Sequence, residues 1–226
     1  MCGRFVAASD PDGLMRLFVI DDRVADDVPR SWNVAPTARV HAVVEHDRRR
    51  LLVAFRWGLV PGWADDRRVG SHMINARAET LAERPAYREA FARRRCLIPT
   101  DGFYEWQRGE DGRKLPFLVQ QRDGSPLALA GLWSVWQPRA DGERLLTCTI
   151  VTTRANADVA HLHDRMPLVL PADRWDLWLD RSTRDPEALQ ALLEPPEPRL
   201  LASRPVGQAV NDVRNDSPDL VAAAER

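Results

Sequence analysis

The apolar positions of this chain change their spacing several times, and each change marks an element. SDPDGLMRLF sets Leu14, Leu17 and Phe18 at helical spacing just after Pro11, the pattern of a short amphipathic helix opened by proline. ERPAYREAFARR repeats the pattern with Tyr87 and Phe91, and PADRWDLWL repeats it with Trp175, Trp178 and Leu179. DPEALQALLE follows as a further helix. Between these lie strand-like runs: RVHAVVEH, LLVAFRWGLV, RCLIP, GFYEWQ, PFLVQ, PLALAGLW and LLTCTIVTT. Many short strands, few helices and no βαβ alternation predict an α+β fold. The sheet is expected to be curved, mostly antiparallel and barrel-like, with flanking helices. No repeat, low-complexity tract or Gly/Ser linker divides residues 1–226, so one domain is expected.

Composition narrows the function. A hydrophobic fraction of 44% with eight tryptophans fits a folded globule rather than a disordered chain. No run of about 18 apolar residues is present, so no membrane span is expected. MCGRFVAASDPDGL lacks the basic start and long apolar stretch of a secretory signal. Cys2, Cys96 and Cys148 lie far apart without CxxC spacing, so neither a disulfide framework nor a zinc site is expected, and the cytoplasm is the expected compartment. The net charge of −1 gives no overall attraction to nucleic acid, so any such contact must gather positive charge locally. Lys114 is the sole lysine and lies in RGEDGRKLP, a stretch that reads as a polar turn.

Several short stretches carry candidate chemistry. In MCGRF, removal of Met1 would leave Cys2 with an α-amine and a thiol on one residue. The α-amine titrates near pKa 7.7–8.0 and is partly neutral at physiological pH, and the thiol beside it is a nucleophile. A small residue in a core explains Cys2 equally well. Alternation in GFYEWQ sets Tyr104 and Trp106 on one face and Phe103, Glu105 and Gln107 on the other. A carboxylate among aromatics suits proton transfer, and a solvent-facing Glu opposite a Tyr/Trp core is the alternative. HMINARAET, if extended, aligns Asn75, Arg77 and Glu79, which fits an oxyanion or phosphate site or an ordinary edge strand. AHLHDRMPLVLP carries His161, His163 and Arg165. No carboxylate–histidine cluster accompanies the HxH pair, which favours a proton shuttle over a metal. SWNVAPT and WGLVPGWA join tryptophan to a proline turn, either as stacking surfaces or as core corners.

Taken in order, MCGRF, WNVAPT, WGLVPGWA, INARAET, GFYEW, the IVTT-to-HDRMP segment and VNDVRND resemble the SOS response-associated peptidase (SRAP) family of abasic-site processing proteins. The resemblance runs from residue 2 to about residue 215. It implies that Cys2 is the nucleophile and that Asn75, Glu105 and His163 complete the active site. It places Arg4, Asn33, Trp63, Arg77, Thr152 and Arg165 near a single-stranded DNA partner containing an abasic site. It implies a covalent thiazolidine cross-link through the amine and thiol of Cys2, with lyase and peptidase side activities. No cofactor or metal is expected, and the protein is expected to be monomeric. ADDRRVGSH reads as a variable loop whose contacts do not carry over.

Two other classes compete. Class II glutamine amidotransferases also begin Met-Cys-Gly, but the Gly-His-Arg motif of their glutaminase domain is absent. A non-catalytic single-strand-binding module would bind reversibly and ignore abasic sites.

Overall fold

Strand alternation divides each long strand of this computed structural model between two cores. The structure describes residues 2–24, 28–109, 112–138, 142–183 and 185–224. In β4 (Arg39–His46), Val40, Ala42 and Val44 face a cluster that contains Cys2, while Val43 faces the other way. In β5 (Arg49–Trp57), Phe55 and Trp57 join the Cys2 cluster and Leu52 joins the opposite one. β7 (Arg95–Thr100), β10 (Leu127–Trp136) and β11 (Leu145–Arg154) divide in the same way.

These strands form one sheet, and the short β2 (Asp22–Arg23) lies parallel to β5. The order β11-β10-β7-β4-β5 is antiparallel, and a parallel β5–β11 pairing bends it into a ring. The short β6 (Asn75–Arg77) lies parallel to β11, with Asn75 opposite Ile150 and Arg77 opposite Thr152. β12 (Arg165–Pro167) pairs with the same end of β11 along its other edge, Thr152 opposite Pro167. A second antiparallel sheet covers the Cys2 side. Its order is β13 (Leu201–Pro205), β9 (Lys114–Gln121), β8 (Gly102–Arg108), β1 (Phe5–Ala7) and β3 (Ser31–Val34). The result is the expected α+β fold on curved, mostly antiparallel, partly ring-like sheet.

The helices cover the other side of the ring. They are α1 (Pro11–Leu17), α2 (Pro85–Arg93), α3 (Trp175–Leu179) and α4 (Pro186–Ala191). Leu14, Phe91, Trp178 and Leu189 from them pack on Val43, Leu97, Ala130 and Val151. Asp10 caps α1 by accepting from the Gly13 N–H at 3.2 Å, and Asp185 accepts from Glu187 N at 3.0 Å. Arg95 of β7, 2% exposed, fastens α3 through the Trp178 carbonyl and α2 through the carbonyls of Phe91 and Ala92. Burial pulls its pKa down to about 10.

Two sequence readings change. HMINARAET is extended only over Asn75–Arg77; Ala78–Thr80 then turns as a 3-10 helix, so Glu79 leaves the row it was expected to share with Asn75 and Arg77. Lys114 lies on a strand, opposite Arg108, rather than in a turn. Cross-strand pairing extends the hairpin into polar sequence that local propensity assigns to a loop.

The turn after β5 depends on two glycines. Gly58 has φ +122, and a Cβ there would lie 2.5 Å from the Gly70 carbonyl oxygen. A Cβ on Gly70 would lie 2.6 Å from the Gly58 oxygen. Only paired glycines let these backbones touch, which brings the 58–72 excursion back in time for Asn75 to pair with β11. Gly58→Ala is expected to cost about 2 kcal/mol or more, a fall in Tm of about 4–8 °C by thermal melting. An unchanged Tm would show that the turn tolerates a side chain.

Candidate functional site

The site begins where β1 delivers the N-terminal residues beside β8. Phe5 pairs with Phe103, and the Tyr104 N–H donates to the Arg4 carbonyl at 2.9 Å, so continuing the ladder carries Cys2 alongside the Glu105–Trp106 region. Cys2 is 0% exposed and packs in the cluster of Phe5, Trp57, Phe103 and Met166. Burial pushes its thiol up to about 12, and the Glu105 carboxylate adds to that rise.

Asn75 holds this end of the chain. Its Nδ2 donates to the Cys2 carbonyl at 2.8 Å, which fixes the orientation of the amide. Its Oδ1 is then buried without a hydrogen-bond partner. A buried acceptor left open beside Cys2 suits an incoming N–H or O–H.

Glu105 is 6% exposed and lies on the Phe103 face of β8, while Tyr104 and Trp106 pack into a separate cluster on the other face. The solvent-facing alternative is thereby excluded. One Glu105 oxygen accepts from the Trp106 N–H at 3.3 Å. Glu105 and His163 line one cleft of about 580 Å³ together with Trp106, Leu162, Asn211 and two cations, Arg108 and Lys114.

His163 enters that cleft from the turn before β12. Its Nδ1 lies 2.9 Å from the Arg165 N–H and 2.7 Å from Asp164 Oδ1. A single ring nitrogen cannot accept from the first and donate to the second at once. With its proton on Nε2 the ring accepts from Arg165, and with a proton on Nδ1 it donates to Asp164 instead.

The six residues expected near DNA divide into two groups. Trp63 is 69% exposed, and Arg77 is exposed at the end of β6. The other four are engaged within the protein. Arg4 donates to Asn33 Oδ1 at 2.7 Å and to the Val210 carbonyl at 2.9 Å, and it lies 6.0 Å over the Trp106 ring. Asn33 is buried and donates to the carbonyls of Asp212 and Asn215 at 3.1 and 2.7 Å. Thr152 is buried, and its carbonyl accepts from Arg165 Nη2 at 2.7 Å. Arg165 makes a two-pronged bond to Glu79 at 2.5 and 3.0 Å, which holds the Glu79 carboxyl below its usual range. Arg4 and Asn33 thus anchor the 210–215 segment, whose Asn211 accepts from Trp106 Nε1 and lines the cleft.

Sequence reasoning missed Glu79 as the partner of Arg165, and Arg108, Lys114 and Asn211 as cleft residues. Only the VNDVRND stretch signalled any of them. Among the described residues, no three His, Cys, Asp or Glu gather as a metal site, and no helix is long and apolar enough to cross a membrane.

Known proteins share the sequence pattern and the fold. The family model described as SOS response associated peptidase (SRAP) matches residues 1–213. Abasic site processing protein YoqW of Bacillus subtilis is 38% identical over 222 residues, covering 98% of this chain and 99% of that protein. Abasic site processing protein YedK of Escherichia coli is 30% identical, covering 98% and 99%. A crystal structure from Bacteroides thetaiotaomicron shares the fold at TM-score 0.88 and 22% identity, covering 99% of this chain and 100% of that one. Another, from Bordetella bronchiseptica, gives TM-score 0.76 at 26% identity, covering 91% and 100%. The chain therefore belongs to the SOS response associated peptidase family.

Proposed function

We propose that this chain captures abasic sites in single-stranded DNA as a covalent adduct on the aminothiol of Cys2, freed by removal of Met1. The names of its relatives supply the substrate class. The observation that carries the chemistry is the conjunction at Cys2: its carbonyl tied to Asn75, its thiol in the field of Glu105, and His163 sharing the Glu105 cleft.

An abasic deoxyribose opens to an aldehyde. The Cys2 amine adds to the carbonyl carbon, and loss of one water leaves an imine. The thiol then adds across the C=N bond, sulfur to carbon and proton to nitrogen, closing a five-membered thiazolidine. Burial raises the Cys2 thiol pKa while Met1 is in place, whereas an α-amine is partly neutral at about pH 8, so we assign the first attack to the amine and the ring closure to the thiol. The same fact counts against a thiolate-driven peptidase. Glu105 carries protons during ring opening and dehydration, His163 is a second carrier, and the open Asn75 Oδ1 orients the amine or a sugar hydroxyl. β-Elimination from the imine is a lyase branch of the same path.

Incubation with an abasic single-stranded oligonucleotide, followed by denaturing electrophoresis and intact mass, tests the reading. The expected product lacks Met1 and carries the DNA minus one water. A gel free of adduct, with binding indifferent to the abasic site, favours the reversible binding module.

Arg77 is an exposed cation at the end of β6, beside Asn75, and we assign it a backbone phosphate. Arg77→Ala is expected to weaken binding to all sequences alike and to flatten the salt dependence by about 0.7 in log–log slope. Titrations across a salt series decide it; an unchanged slope would move the DNA path elsewhere.

A further inference from the structure

A second cleft lies away from Cys2. It holds about 710 Å³ at the end of the ring where β4 begins, β5 and β10 end and β11 begins. Arg39, Arg56, Arg67 and Arg144 line it, and Glu143 is its one acid among the described lining residues. In a protein of net charge −1, four arginines around one cleft are a local concentration of charge.

Strand alternation places this cleft on the far side of the sheet. Phe55 and Trp57 pack in the Cys2 cluster, so Arg56 between them points the other way. Arg56 opposes Thr147 on β11, while Asn75 opposes Ile150. Three residues of strand separate the two sites along β11, about 10 Å, in addition to the change of face.

Two further observations indicate an anion. Arg56 Nη1 is buried with no hydrogen-bond partner. Burial and the neighbouring charge of Arg67 both lower the Arg56 pKa, so two cations are held together where a counter-charge would relieve them. The floor is partly apolar, with Trp136, Leu145 and Leu146. Trp136 donates to the Ala64 carbonyl at 2.7 Å, which pins the turn bearing exposed Trp63 to the cleft wall. The volume exceeds what one phosphate needs, and arginines beside apolar surface match the alternating phosphates and sugar–base faces of a nucleic-acid strand.

We propose that this cleft is a second contact for single-stranded DNA, holding backbone phosphates on Arg56, Arg67, Arg39 and Arg144, reached past the Trp63 turn by strands long enough to leave the Cys2 face. The proposal rests on the reading that the chain acts on single-stranded DNA, but not on the Cys2 chemistry. The test uses intact, non-abasic oligonucleotides of about 6 and about 30 nucleotides with wild type and the exposed double variant R67E/R144E.

For the long strand, the variant is expected to lose about tenfold or more in affinity and about 1.4 in salt slope. For the short strand, affinity is expected to match wild type, as is the rate of cross-linking to a short abasic oligonucleotide. Equal long-strand affinities, or an equal loss on the short strand, would overturn the proposal. Inorganic phosphate provides a further arm: if it binds at the cleft while the long strand gains nothing there, the ligand is a free anion and the proposal fails. Should R67E/R144E melt below wild type, R67Q and R144Q are each expected to give about half of the slope change. A wild type that forms no abasic adduct yet shows the length-dependent loss would sink the capture reaction and leave this site standing.

Discussion

Cys2→Ala protein, mixed with abasic single-stranded DNA and run on a denaturing gel, is expected to show no heat-stable adduct. The variant retains an N-terminal amine once Met1 is removed but has no thiol to close a ring. Cys2→Ser separates the two steps further: its amine still forms an imine, trapped by borohydride, while the untrapped product decays on heating. Lys114 lines the cleft and is the sole lysine, so it is the competing amine. Lys114→Ala is expected to leave the stable adduct intact. A stable adduct in Cys2→Ala that vanishes in Lys114→Ala would transfer the chemistry to the lysine.

Glu105→Gln is expected to slow adduct formation by about 10²–10⁴-fold, because the amide fills the same space but cannot exchange a proton. A second readout separates this from a packing defect. The Glu105 carboxylate raises the pKa of the buried Cys2 thiol, so its loss moves that pKa down from about 12. The pH profile of Cys2 alkylation should therefore shift to lower pH in the variant while the abasic reaction slows. A slower reaction with an unshifted alkylation profile would mean that Glu105 acts at a distance, through the fold.

The sequence makes the framework legible because its signals are local. Prolines at the first positions of α1, α2 and α4 and the periodicity behind them locate the helices, and alternation in GFYEWQ assigns Glu105 to the Phe103 face. The ring closure is not legible: the β5–β11 pairing joins residues far apart in sequence, and β1, β3 and β6 are too short for a periodicity of their own. Motif order identifies which polar residues matter but not which way they face. Asn33 and Arg4 appear as DNA contacts by resemblance, yet their hydrogen bonds run inward to the 210–215 segment. Arg165 likewise engages Glu79, a residue that leaves its expected row only because the chain turns at Ala78.

The bond from Arg4 to the Val210 carbonyl spans 206 positions, and this imposes a timetable on synthesis. At about 5–20 residues per second, the ribosome needs roughly 10–40 s after making Arg4 before Val210 exists. Through that interval the partners from residues 75, 105, 163 and 210 arrive one after another, and the N-terminus cannot yet be enclosed as it is in the finished fold. The proposed capture reaction requires Met1 to leave, and the nascent chain is where an enzyme would meet it least enclosed, before the last segment docks. On that reading the N-terminal end is trimmed early and assembled late, so a prematurely terminated chain ending before residue 210 would carry the aminothiol without the fastening that completes its site.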